Sequence, residues 1–167
     1  MGAQGAFKTA KKTHGGFRPG QMQDDASFLS MSLELKQHVP NVMLSLGGAA
    51  MNPCWEACMQ KGAMAVAQQV VAFTSMAGLD GVDIDYEDDR MDDDVVDFLV
   101  ELSKNIIVLM QESGVNKPVL AHAPIAHHLH ACDESEENTV CHQTSYSDVL
   151  ARLDPDFLSF VVVQYYK

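Results

Sequence analysis

Four short apolar runs, separated by longer stretches with helix start and stop signals, constrain the fold of this chain most. Residues 42–46, 80–87, 119–123 and 157–165 read as strands, rich in Val, Leu, Ile, Phe and Tyr. A helix is predicted from Asp24 or Asp25 to Val39-Pro40. A second runs from Asn52, an N-cap with Pro53 at the first helical position, to Met76-Ala77. Gly62 interrupts that helix and Gly78 ends it. A third spans about 91–113 before Gly114, and a short one about 146–153. Strand and helix in alternation predict parallel strands joined by right-handed crossovers, hence an α/β fold. Residues 1–21 lack periodicity and read as an irregular arm, leaving 22–167 as one domain.

Composition narrows the function classes. A net charge of −12 argues against nucleic acid and against anionic membrane surfaces, both of which recruit Lys and Arg. No apolar run approaches the roughly 20 residues of a membrane helix. Residues 1–20 are polar, Gly-rich and basic, without the apolar centre of a signal peptide. Of the four cysteines, Cys132 and Cys141 flank a polar loop that a disulfide would staple in an exported protein. Cys54 and Cys58 share a helix face, where a bridge is less natural, and the sequence leaves the pairing open.

Charge is also unevenly placed, with ten of 23 acidic residues between Asp80 and Asp97. Asp92, Asp93 and Asp94 suit a helix start, where the dipole favours acids. Asp83, Asp85 and Glu87 are different. On a strand they share one face, while Val82, Ile84 and Tyr86 share the other. Like charges at that spacing raise one another's pKa, and such a row reads as a site. Asp80 is out of phase and reads as structural. A calcium loop is disfavoured, because the segment lacks the glycine an EF-hand needs. His122, His127, His128, His130, Cys132, Cys141 and His142 match no standard zinc spacing, so no metal is expected. Trp55 and Phe73 read as helix packing.

Four motifs in register with these strands resemble glycoside hydrolase family 18, the chitinase-like family. Asp80-x-x-Asp83-x-Asp85-x-Glu87 resembles its catalytic signature on barrel strand four, and Ser45-Leu46-Gly47-Gly48 its Ser-x-Gly-Gly element after strand three. Ala123-Pro124 falls where strand five ends. Gln164-Tyr165-Tyr166 resembles the Gln-x-Tyr after strand six, in the form of the plant-type (class III) branch, although Lys167 stands where that branch often has Asn. The resemblance covers about residues 25–167. It implies a parallel (β/α) segment of a TIM barrel, about strands three to six, incomplete because a whole barrel takes about 250 residues. A fragment, or a half barrel completed by a second chain, is the corresponding expectation.

The same resemblance implies hydrolysis of β-1,4-linked N-acetylglucosamine polymers with retention, the substrate's acetamido oxygen serving as nucleophile. Glu87 would be the general acid, sharing a proton with Asp85. Asp85 would orient the acetamido group, Asp83 would hold the proton Asp85 releases, and Tyr166 would donate to the acetamido carbonyl. Gln164 and Ser45 belong to the substrate-binding side, with Ser45 supporting the acids. The implied partner is chitin or its oligosaccharides, with no cofactor, and the family implies an extracellular location. A lectin-like module that binds such sugars without turnover is the alternative.

Overall fold

The computed structural model describes residues 12–13, 16–17, 25–129 and 144–165, with side chains from residue 30 onward. Within the arm, β1 (Lys12–Thr13) pairs antiparallel with β2 (Gly16–Phe17), a minimal hairpin where irregular chain was expected. There follow α1 (Asp25–Lys36), β3 (Met43–Gly47), α2 (Asn52–Lys61), α3 (Ala63–Met76) and β4 (Gly81–Asp85). Then come α4 (Asp93–Glu112), β5 (Val119–His122), α5 (Tyr146–Arg152) and β6 (Phe160–Val161). β3, β4, β5 and β6 form one parallel sheet in that spatial order. Each strand thus lies beside its successor, as a singly wound β/α sheet requires. Among the described residues the sheet does not close, and β3 and β6 are its edges.

The core lies between the helices and one face of the sheet. Val82, Ile84 and Leu120 are fully buried there against Val66, Val70, Val95, Leu99, Leu102 and Ile106. Each such side chain contributes roughly 1.5–3 kcal/mol through burial. α4 is the central helix. The Asp92 carboxylate caps it by accepting from Val95 N at 3.0 Å, as its acid-rich start predicts. Gly62, at φ +87°, separates α2 from α3, and its N–H closes α2 on the carbonyls of Cys58 and Met59. Trp55 and Tyr86 pack together with ring centroids 5.2 Å apart, and the Tyr86 hydroxyl donates to Arg90 O at 2.6 Å.

Besides the hairpin in the arm, two elements depart from expectation. α1 is a helix, but Met31, Leu33 and Leu35 are exposed, because their period of two spreads them around a helical turn. α1 is tied instead by polar contacts: Ser32 Oγ donates to Ala77 O, and Lys36 Nζ meets Asp80 at 2.9 Å. Asp80 also accepts from Val42 N at 2.8 Å, the structural role its phase suggested. β6 covers only two residues of the predicted run. Pro124 has no N–H with which to continue the ladder, and pairing resumes as one bridge between Ile125 and Gln164. No helix among the described residues is long and apolar enough to cross a membrane.

Candidate active site

The acidic row emerges at the C-terminal end of β4. Val82 and Ile84 are fully buried toward the helices, while Asp83 and Asp85 turn to the opposite face and are half-buried. β4 ends at Asp85, so Glu87 stands two residues beyond the strand rather than on it, also half-buried. Its main-chain carbonyl accepts from Asn52 Nδ2 at 2.9 Å. The Asn-Pro pattern predicts an N-cap at Asn52, but the capping position falls on Met51, and the Asn52 amide holds the Glu87 backbone instead. A local Asn-Pro pattern cannot reveal a contact across 35 residues.

The neighbouring strands supply hydrogen bonds in order. Ser45 pairs in register with Asp83, and its hydroxyl donates to Asp83 Oδ2 at 3.0 Å. Asp83 Oδ1 is buried and has no hydrogen-bond partner among the described residues. Burial pushes the Asp83 carboxyl above its ordinary range, with the Ser45 bond pulling the other way. Two pairs further along, Gly47 lies opposite Asp85 at φ +137°, and Gly48 N donates to Asp85 O at 2.8 Å. A Cβ on Gly47 would fall 1.8 Å from that same oxygen. The glycine pair therefore lets β3 close onto the main chain of Asp85.

Asp85 carries the largest carboxylate shift, raised to about 6. Burial is the main cause, followed by the negative charge of Glu87, with Asp83 and a hydrogen bond involving Glu87 adding to it. Gln164 Nε2 opposes the rise by donating to Asp85 Oδ1 at 2.7 Å. The same nitrogen donates to Ala123 O at 2.6 Å, while the Gln164 main chain bonds Pro124 O and receives from Ala126 N. Gln164 is thus fixed to the exit of β5 and aimed across it at β4. The structure brings Ser45, Asp83, Asp85, Glu87 and Gln164 into one row. Tyr166 lies outside the described residues.

The remaining candidates scatter. His122, on β5, pairs in register with Ile84 and so faces the core. Ser103 donates to Leu99 O at 2.6 Å, so it accepts from His122 Nε2 at 3.0 Å. The bare Nδ1 then accepts from the Tyr146 hydroxyl at 2.7 Å. Burial holds this imidazole neutral, its pKa lowered to about 4. His127 and His128 stand in a 3₁₀ turn, Ala126–Leu129, after β5, near Asp89. His130, Cys132, Cys141 and His142 lie outside the described residues. Cys54 and Cys58 are free thiols, and burial raises the Cys58 thiol pKa. Trp55 is core, as expected. A surface depression of about 340 Å³ between α2 and α4 is lined by Glu56, Arg90, Asp94 and Phe98 and shares no residue with the acidic row.

No protein-family model and no curated protein matches this chain. Solved structures do. A GH18 chitinase from Pseudoalteromonas aurantia superposes with TM-score 0.61 at 21% identity, over 83% of this chain and 48% of that one. A GH18 chitinase from Cycas revoluta, in complex with (GlcNAc)3, superposes with TM-score 0.63 at 17% identity, over 90% of this chain and 43% of that one. At these identities the likeness establishes the fold: the chain has a GH18-like α/β architecture and spans slightly less than half the length of either protein.

Proposed function

We propose that this chain carries the catalytic row of a chitinase-like glycoside hydrolase acting on β-1,4-linked N-acetylglucosamine polymers. The observation that carries the reading is the graded carboxylate row, Asp83, Asp85 and Glu87, with Ser45 and Gln164 engaging its two inner members from flanking strands. In this reading Glu87 donates a proton to the glycosidic oxygen as the bond to the anomeric carbon breaks. The substrate's acetamido oxygen attacks that carbon from the other side, giving an oxazolinium ion and needing no enzyme nucleophile. Asp85, its carboxyl raised to about 6, orients the acetamido N–H and offsets the developing positive charge. Asp83 accepts the proton that Asp85 gives up, and Tyr166 donates to the acetamido oxygen. Water then opens the oxazolinium ion, losing its proton to Glu87, with net retention.

The proposal extends to architecture. Residues 22–167 supply strands three to six of a (β/α)8 barrel, closed by further strands from the same or a second polypeptide. The open edges of β3 and β6 support this, with Phe160 and Val162 about half exposed. Time-resolved proton NMR of chitotetraose cleavage tests the reaction. The proposal expects β-anomeric product before mutarotation. α-Anomeric product would contradict the mechanism, and binding without cleavage would move the chain to the lectin-like reading.

A further inference from the structure

Beyond the acidic row, one group of side chains among the described residues converges as metal ligands do. One ligand atom each from Asp89, His127 and His128 lies within 4.8 Å of the others. Asp89 belongs to the loop after β4, two residues past Glu87, and the histidines to the turn after β5. The imidazoles meet edge to face with centroids 4.3 Å apart. His128 is 4% exposed, whereas His127 and Asp89 are exposed and have room to adjust.

We propose that Asp89, His127 and His128 form a binding site for a divalent transition ion of the zinc class, cross-linking the loops after β4 and β5. Two imidazoles and one carboxylate make a borderline N/O donor set, which zinc, nickel and copper prefer and which calcium and magnesium do not. Zinc bonds of about 2.0–2.1 Å require ligand atoms about 3.3–3.5 Å apart. With all three ligand atoms within 4.8 Å of one another, the two exposed side chains need close by at most about 1.5 Å, within the reach of small rotamer changes. Three protein ligands leave the fourth position open to water or a sugar oxygen. The site draws on one histidine pair from the candidate His/Cys group and adds an aspartate the sequence did not suggest. His122, from the same group, is excluded by its place in the core.

Isothermal titration of the chelator-dialysed protein with zinc chloride tests the site, with magnesium and calcium chlorides as controls. One zinc per chain is expected, with no heat from the controls. Asp89→Asn and His127→Gln, both at exposed positions, should each weaken zinc on the order of tenfold or more. Cys54→Ser/Cys58→Ser should leave it unchanged. An absence of zinc binding overturns the site. So does binding that survives both Asp89→Asn and His127→Gln, or that disappears with the two thiols. None of these readouts depends on hydrolysis, so the metal site and the proposed function fail separately.

Discussion

Two polar clusters lie on opposite faces of one sheet and are handled in opposite ways. Behind it, Tyr146, His122 and Ser103 form a chain that ends on Leu99 O, each donor meeting an acceptor, and the imidazole stays neutral. In front, Asp83 and Asp85 are half-buried beside Glu87, Asp83 Oδ1 has no partner among the described residues, and both aspartates are raised. A satisfied buried network rigidifies a core. A crowded, partly satisfied carboxylate row costs stability and holds protons ready to move. On the proposed reading the difference separates a packing device from a site, although each is centred on titratable groups of neighbouring strands, His122 on β5 and the two aspartates on β4.

Substitution of Asp85 should separate the two clusters most widely. Asp85→Asn keeps an acceptor for Gln164 and removes the titrating group, so kcat should fall about 10²–10³-fold. Melting at pH 7 should be unchanged or raised, because ionised Asp85 is unfavourable in the fold. Turnover close to that of the wild type would break the assignment of the front cluster. Tyr146→Phe should do the reverse. It leaves Nδ1 of His122 without its donor and should cost about 1–3 kcal/mol in urea unfolding. A loss of turnover with unchanged stability would put that chain in the chemistry.

The pH dependence of stability sharpens the contrast, since the clusters titrate with opposite sign. His122 is lowered to about 4 when folded, against about 6.5 when unfolded. Its contribution is complete above 6.5 and falls away as pH drops toward 4, by up to about 3 kcal/mol. Asp85, raised to about 6, favours the folded state at low pH and loses that advantage as pH rises through 6. Asp83 acts in the same direction. Melting curves from pH 4 to 8 should therefore show an acid-side loss that steepens in Asp85→Asn. A profile unchanged by that substitution would contradict the opposing signs. The smallest effect is expected at Asn52, whose amide only positions the Glu87 main chain. Asn52→Ala should lower kcat on the order of tenfold with little change in KM, and a KM effect alone would place Asn52 in substrate binding.

Periodicity makes the sheet legible in the sequence itself. Alternation at Val82, Asp83, Ile84 and Asp85 gave both the strand and its two faces, and Gly62 gave the helix break. Ser45 and Gln164 were legible only through resemblance. Their physical reason, donation to Asp83 and Asp85 across strands, needs the register. His122 shows what parity alone could have supplied, since it lies in an apolar strand in phase with the core. The contacts of Asp89 and Asn52 carried no local signal, because they join segments about 35–40 residues apart. Pro124 was visible, but its effect of cutting β6 to two residues depends on which strand pairs with it.

The central claim is that the acids of the front row have separate tasks, with Glu87 delivering the proton. Glu87→Gln measures this most directly, read by chitotetraose turnover and by binding of the same sugar. The account predicts turnover lost by at least about 10³-fold with binding affinity retained. Turnover retained in Glu87→Gln would contradict it.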